Sequence, residues 1–240
     1  MLWGGASIVS AQVQLTSTNL TTPYTQDFNT LATTGTTNAL STLPTGWRAA
    51  NVPGTNYSAS TGGPSGSGGR DLYSFGAAGA TDRALGSWNF FLGSTIYFGA
   101  NFQNTTGTTL TYFTLSFTVE NYSASGATAS DPLTLQYIFA PAAQSFTSTT
   151  GWTTLSSTLN ATTGAAPYTF TTGINWASGG TNLLWLRWSD TDSFLATDRA
   201  LAIDNLMVAV PEPTTYGLVL GAATLGWVGY RRWRKAKTVA

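Results

Sequence analysis

The chain has no Cys and no His. Thiolate nucleophiles, imidazole bases and the zinc sites built on those side chains are therefore excluded. Any chemistry falls to carboxylates, hydroxyls and aromatic faces. Carboxylates gather late in the sequence, at Asp190, Asp192, Asp198 and Asp204. Asp190-Thr191-Asp192 sets two of them two residues apart, a spacing that suits one hard cation. Ca²⁺ takes six to eight oxygen ligands and can draw the remainder from loop carbonyls, and without His or Cys the oxygen-ligated metals are the ones left. The expectation is a structural Ca²⁺ site at Asp190, Asp192, Asp198 and Asp204. The competing assignment makes Asp190 and Asp192 turn residues and pairs Asp198 with Arg199 or Arg83. Glu120 is the only Glu before residue 211. Two carboxylates about 5–9.5 Å apart can hydrolyse a glycosidic bond, but no partner at that distance is fixed by sequence. A pairing of Glu120 with an Arg such as Arg187 is expected instead, and no catalytic residue is assigned.

The elements that must position these residues read as strands. Charged residues are only 8% of the chain, about a third of the roughly 25% usual in soluble domains. Thr, Ser, Gly and Asn fill the polar positions, which favours strands and turns over helices. Phe113–Glu120 alternates apolar and polar with period two, as do 96–102 and 133–139, marking half-buried strands. Leu183–Trp188 and Leu201–Val208 are denser apolar runs expected at the centre of a sheet. Turn residues at 104–107, 126–132, 164–167, 173 and 179–180 separate the runs, and 61–69 reads as a Gly/Ser-rich loop. Residues 12–210 are therefore expected to form an all-β, antiparallel two-sheet sandwich of jelly-roll type. Trp185 and Trp188, three apart, cannot share a face, so one points outward unless both faces are covered. Thr81-Asp82-Arg83-Ala84-Leu85 is echoed at Thr197-Asp198-Arg199-Ala200-Leu201, which would let adjacent strands pair Asp with Arg across a ladder.

The two ends differ from this domain. Residues 1–11 form a short apolar run closing on Val9-Ser10-Ala11, as at a signal-peptidase site, without the basic residues that usually precede one; the competing assignment is an ordinary buried N-terminal segment. At the other end Pro211-Glu212-Pro213 stops the last strand. The fifteen residues Tyr216–Tyr230 carry no charge, and the basic block Arg231, Arg232, Arg234 and Lys235 follows. As a helix, fifteen residues span roughly 22 Å, short of the ~30 Å hydrocarbon core, a gap that flanking residues can close. The basic block is expected to stay cytoplasmic, which places 12–210 outside the cytoplasm.

The tail over 211–240 resembles the PEP-CTERM sorting signal in all three of its parts: the Pro-Glu-Pro motif, the apolar stretch and the Arg-rich end. The resemblance implies export in a Gram-negative bacterium, passage through the inner membrane via the tail, processing by an exosortase-type protease, and association with extracellular polysaccharide or biofilm. The domain also resembles a group of exported bacterial jelly-roll domains. The matching residues are Tyr24–Leu31, Asp82–Gly86, Val119-Glu120, Trp185–Asp190 and Leu201–Asn205. Asn205 stands where that group has a second Asp, and Asn121-Tyr122-Ser123 where it has Gln-Trp-Arg. The group carries no common activity to transfer.

Function classes follow from charge. Residues 1–210 hold five Arg, no Lys and nine Asp or Glu, a formal charge of −4. A nucleic-acid binder needs a clustered basic face, so nucleic acid is set aside. The expected function is a non-enzymatic protein of the cell surface or extracellular matrix that binds polysaccharide. The alternative is an extracellular glycan-active enzyme on a jelly-roll scaffold, which an acidic groove around Glu120 would favour.

Overall fold

The computed structural model describes residues 11–62, 70–123, 131–192 and 199–210. Residues 1–10 of the leader expected at 1–11, Asp198, Pro211-Glu212-Pro213, the span from Tyr216 to Tyr230 and the basic block from Arg231 to Lys235 lie outside the described residues, as does the expected C-terminal helix. Among the described residues, no helix is long and apolar enough to cross a membrane.

Among the described residues, fourteen strands run in chain order: β1 (Val13–Thr16), β2 (Tyr24–Gln26), β3 (Asn38–Ala39), β4 (Trp47–Ala50), β5 (Asn56–Ser60), β6 (Arg70–Phe75), β7 (Ala84–Asn89), β8 (Thr95–Thr105), β9 (Leu110–Asn121), β10 (Leu133–Pro141), β11 (Thr153–Leu159), β12 (Ala165–Trp176), β13 (Asn182–Thr191) and β14 (Leu201–Ala209). They form two sheets. The first has the order β1-β8-β13-β10-β11, with β4 also on β8; the second runs β12-β9-β14-β7-β6-β5-β3, with β2 also on β14. Both sheets are mixed rather than purely antiparallel, because β1 lies parallel to β8 and β5 parallel to β6. Residues 17–94 separate β1 from β8 in sequence and residues 61–69 separate β5 from β6, and a period-two pattern registers neither pairing.

The inner faces build one core from Phe98, Phe102, Phe113, Leu115, Phe117, Leu186, Trp188, Ile203 and their neighbours. Trp188 lies at its centre, stacked 5.9 Å from Trp47 and edge-on to Phe117 at 5.3 Å. The dense runs in β13 and β14 reflect a second layer of packing on the outer faces. Trp185 joins Ala140, Phe146 and Leu183 under the 142–152 loop, so both tryptophans are fully buried on opposite faces. Across the second sheet, Phe75, Ala84, Trp88, Ala200 and Ala202 form an outer cluster with half-buried Tyr73, Phe90 and Tyr122.

Gly99 on β8 stands between Arg48 of β4 and Arg187 of β13. A Cβ there would lie 2.0 Å from the Leu186 carbonyl oxygen. Arg187 does not reach Glu120. Its Nε and Nη2 donate to Gln136 Oε1 at 2.9 and 2.7 Å, and Nη1 to the carbonyls of Phe146 and Ser148. Its guanidinium lies 3.9 Å from the Trp152 ring centroid and 4.7 Å from that of Tyr97. A strand alternation cannot foresee this, because the partners come from a neighbouring strand and a distant loop.

Candidate functional site

The structure distributes the predicted cation ligands over two places. On β13 the alternation sends Leu184, Leu186, Trp188 and Asp190 inward. Asp190 is therefore buried at the end of the inter-sheet space, where Ser87 Oγ donates to its Oδ2 at 2.7 Å. Asn89 Nδ2 donates to the Asp190 carbonyl, and Ser94 Oγ to Asn89 Oδ1 at 2.6 Å. Backbone bonds Gly93 N–H to Asp192 O and Asp192 N–H to Ser94 O lock β13 to the β7–β8 turn. Burial pushes the Asp190 carboxyl up to about 7, against the Ser87 hydrogen bond, and the like charges of Asp131 and Asp192 push the same way. Asp131 and Asp192 are themselves buried. Asp131 precedes a Pro and read only as part of a turn in the sequence.

Asp204 lies elsewhere. On β14, Leu201 and Ile203 face the core while Ala200 and Ala202 join the outer cluster, and Asp204 continues that outer alternation. Its Oδ2 accepts from Asn205 Nδ2 at 2.7 Å. Its Oδ1 is buried with no hydrogen-bond partner. Burial pushes this carboxyl up to about 7, and the charges that act on it, from Glu120, Asp82 and Asp27, all add to the rise. Register explains the gathering: Glu120 is level with Ala202 and Asp204 with Thr118, while antiparallel pairing with β7 brings the residues before Ala84 towards Asp204. Tyr122 donates to Glu120 Oε2 at 2.6 Å and stacks on Phe75 at 4.8 Å, and both burial and the Glu120 bond raise the Tyr122 hydroxyl. Asp190 and Asp204 thus belong to different carboxylate groups, on an inner and an outer face. The single ligand set spanning Asp190, Asp192 and Asp204 does not form. Among the described residues, no group of three carboxylates could hold a metal ion.

The echoed pentapeptides do begin adjacent strands, since β7 pairs with β14. Among the described residues, however, Arg83 donates to Ser74 Oγ and to the carbonyls of Ser60 and Ser74 rather than to an Asp. Arg199 donates to Asn160 Oδ1. Asn205, at the position where the resembling group has Asp, sits at φ +51° in the register shift between Asp204 and Met207. Asn is among the few non-glycine residues that tolerate that conformation.

A third surface escaped the sequence reading. The β7–β8 turn projects Phe91 and Leu92, 60% and 53% exposed, into solvent. Beside them lies an open groove of about 430 Å³ lined by Asn51, Phe91, Leu92, Ser94, Thr95 and Tyr97. Asn51 Nδ2 donates to the Thr95 carbonyl, and Thr95 and Thr191 share a hydroxyl bond of 2.9 Å. The Arg187 guanidinium against one side of the Tyr97 ring fixes its orientation. The only sequence signal was Phe90-Phe91-Leu92 ahead of a Gly, which a hydrophobic pattern assigns to a core.

The class defined by this fold is the two-sheet β-sandwich, here with two separate carboxylate groups and a neutral surface groove. No family model and no curated protein matches the chain. Among solved structures, the chain is similar to the enzymatically active domain of tailspike protein 4 of bacteriophage CBA120, at 10% identity over 69% of this chain and 19% of that one, with a TM-score of 0.38. It is also similar to an arabinose-bound MgGH51 α-L-arabinofuranosidase, at 10% identity over 84% and 29% of the two chains, TM-score 0.41. A third likeness is to the K2 cleaved adhesin domain of Lys-gingipain, at 13% identity over 78% and 98%, TM-score 0.37. The chain therefore spans less than a third of the first two. At these scores the likenesses carry no argument about function.

Proposed function

We propose that this protein is a non-enzymatic, exported β-sandwich that binds a neutral polysaccharide and reaches the cell surface or matrix through its PEP-CTERM-like tail. The groove beside the β7–β8 turn carries the reading. Its side chains offer an exposed aromatic ring, a second ring held in place from behind, and hydroxyl and amide groups, with no charged residue among them. A pyranose presents the matching chemistry, with apolar C–H faces for the rings and hydroxyls for Asn51, Ser94 and Thr95. The absence of Lys and Arg at the lining gives an acidic sugar nothing to pair with. Export and processing by an exosortase-type protease rest on the tail sequence alone.

A glycan array probed with the full chain tests this. Binding to one or more neutral polysaccharides is expected, and Phe91→Ala should weaken it about tenfold, the loss of one stacking contact worth ~1.4 kcal/mol. Phe91 is exposed, so the substitution should leave the melting temperature unchanged. Equal binding by wild type and Phe91→Ala would remove the groove from the reading.

A glycan-active enzyme is the second reading, favoured by the buried Asp204 carboxyl, raised to about 7 with the Glu120 charge among the causes, since glycosidases work with a pair of carboxylates. Release of reducing ends from a bound polysaccharide, abolished by Glu120→Gln, would establish it.

A further inference from the structure

Arg48 carries a charge that the described residues leave without a counterion. β4 lies antiparallel on β8, which puts Arg48 level with Gly99 and, one strand further, with Arg187. At about 4.8 Å per strand, their backbones stand roughly 10 Å apart on the outer face of the first sheet. Asp190 is the one carboxylate on the strands of that sheet, and it points inward. Arg187 commits its N–H groups to Gln136 and two carbonyls. The Arg48 guanidinium instead lies 4.6 Å from the Trp185 ring centroid, and its Nε is buried with no hydrogen-bond partner. Burial lowers its pKa, and no carboxylate acts in the other direction, yet a guanidinium stays charged. A charged donor held this way is costly until an acceptor reaches it.

The same side chain lines a pocket of about 470 Å³ along β4 and the segment before it, with Leu40, Ser41, Pro44, Thr45 and Trp47. The frame is fixed. Trp47 N–H donates to the Pro44 carbonyl at 2.9 Å and Asn101 N–H to the Gly46 carbonyl at 3.2 Å, and Trp47 stacks on Trp188. Ser41 and Thr45 are exposed, while Leu40 and Pro44 are half-buried. We propose that this pocket binds a uronic acid unit of a polysaccharide, with Arg48 as the contact for its carboxylate. One cation among neutral groups suits a single negative charge, and the planar guanidinium matches the two oxygens of a carboxylate. The sugar ring then meets hydroxyls at Ser41 and Thr45 and apolar surface at Leu40 and Pro44. The positive charge of Arg187 adds to the attraction. The ligand class is shared with the proposed function, but the pocket has no residue in common with the groove at the β7–β8 turn.

The test titrates the full chain in a calorimeter with sodium glucuronate and with glucuronamide, the same ring without the charge. Glucuronate should bind in the millimolar range of a small ligand with one charged contact. Glucuronamide should bind about tenfold more weakly, and added salt should narrow the difference. A short glucuronate oligomer should bind at least as tightly as the monosaccharide. Arg48→Gln should remove the preference for glucuronate. Because Arg48 also packs on Trp185, Ser41→Ala is the second variant: at an exposed position it should melt as wild type does and weaken glucuronate about threefold. Phe91→Ala should leave glucuronate binding unchanged, so this pocket and the glycan groove stand or fall separately. Equal affinity for the two sugars, a preference for glucuronate kept in folded Arg48→Gln, exclusion of the oligomer, or displacement of glucuronate by equimolar sulfate overturns the proposal.

Discussion

Asp190 shows what a single buried carboxylate does to stability. Its carboxyl is raised to about 7 by burial, with Asp131 and Asp192 adding negative charge, whereas in the unfolded chain it titrates near 3.8. Between those values the folded state holds a proton that the unfolded state has lost. Stability from this group is therefore fully present below about pH 4, falls as pH rises to about 7, and stays low above. Asp190→Asn keeps an oxygen to accept from Ser87 and carries no charge. In chelator it should melt above wild type at pH 8 and show a shallower decline between pH 4 and 7 in a pH series of melting curves. A lower melting temperature at pH 8 would mean that the ionised form is stabilised by partners that offset its burial. Asn205, with φ at +51°, makes a second point at this scale. Asn205→Val forces a β-branched residue into the left-handed region and loses the bond to Asp204, so a loss of about 2–3 kcal/mol in denaturant unfolding is expected. Asn205→Gly should lose only the hydrogen bond.

At the scale of elements, β8 and β13 do the positioning. Their pairing puts Gly99 opposite Arg187 and Trp185 opposite Asn101, and the missing side chain at Gly99 leaves the ladder room beneath two guanidiniums. Gly99→Ala would meet backbone rather than a movable side chain, so it should destabilise by about 1–3 kcal/mol. Arg187 ties the 142–152 loop to the sheet through two carbonyls and the Trp152 ring. Burial lowers its pKa to about 10, still high enough to stay charged at neutral pH. Arg187→Lys keeps the charge and loses the fork on Gln136. The expected result is faster hydrogen exchange or proteolysis confined to 142–152, with the β9–β14 ladder unaffected.

For the molecule as a whole, β7 separates the Asp204 carboxyl from the groove at the β7–β8 turn. That strand of six residues spans roughly 20 Å at ~3.3 Å per residue; Asp82 lies just before it and Phe91 just after. Sites this far apart, with no shared partner, should act additively. Asp204→Asn is expected to leave glycan affinity within twofold, read on the same glycan array. A larger loss would mean that the two ends of β7 are coupled.

Alternation of apolar and polar residues was enough to locate β9, β10 and β8, because in a half-buried strand each side chain reports the face it occupies. The absence of Cys and His likewise settled which metals are chemically admissible. Pairing was not legible. Nothing in Asp190-Thr191-Asp192 or Leu201–Asp204 says which strand lies alongside, so two groups of carboxylates read as one, Glu120 was matched with an Arg on the other sheet, and the parallel pairings of β1 and β5 went unseen. Long-range register, hydrogen bonds from distant loops and the exposure of a hairpin tip such as Phe91 are properties of how sheets meet, and they exist only once the chain has closed on itself.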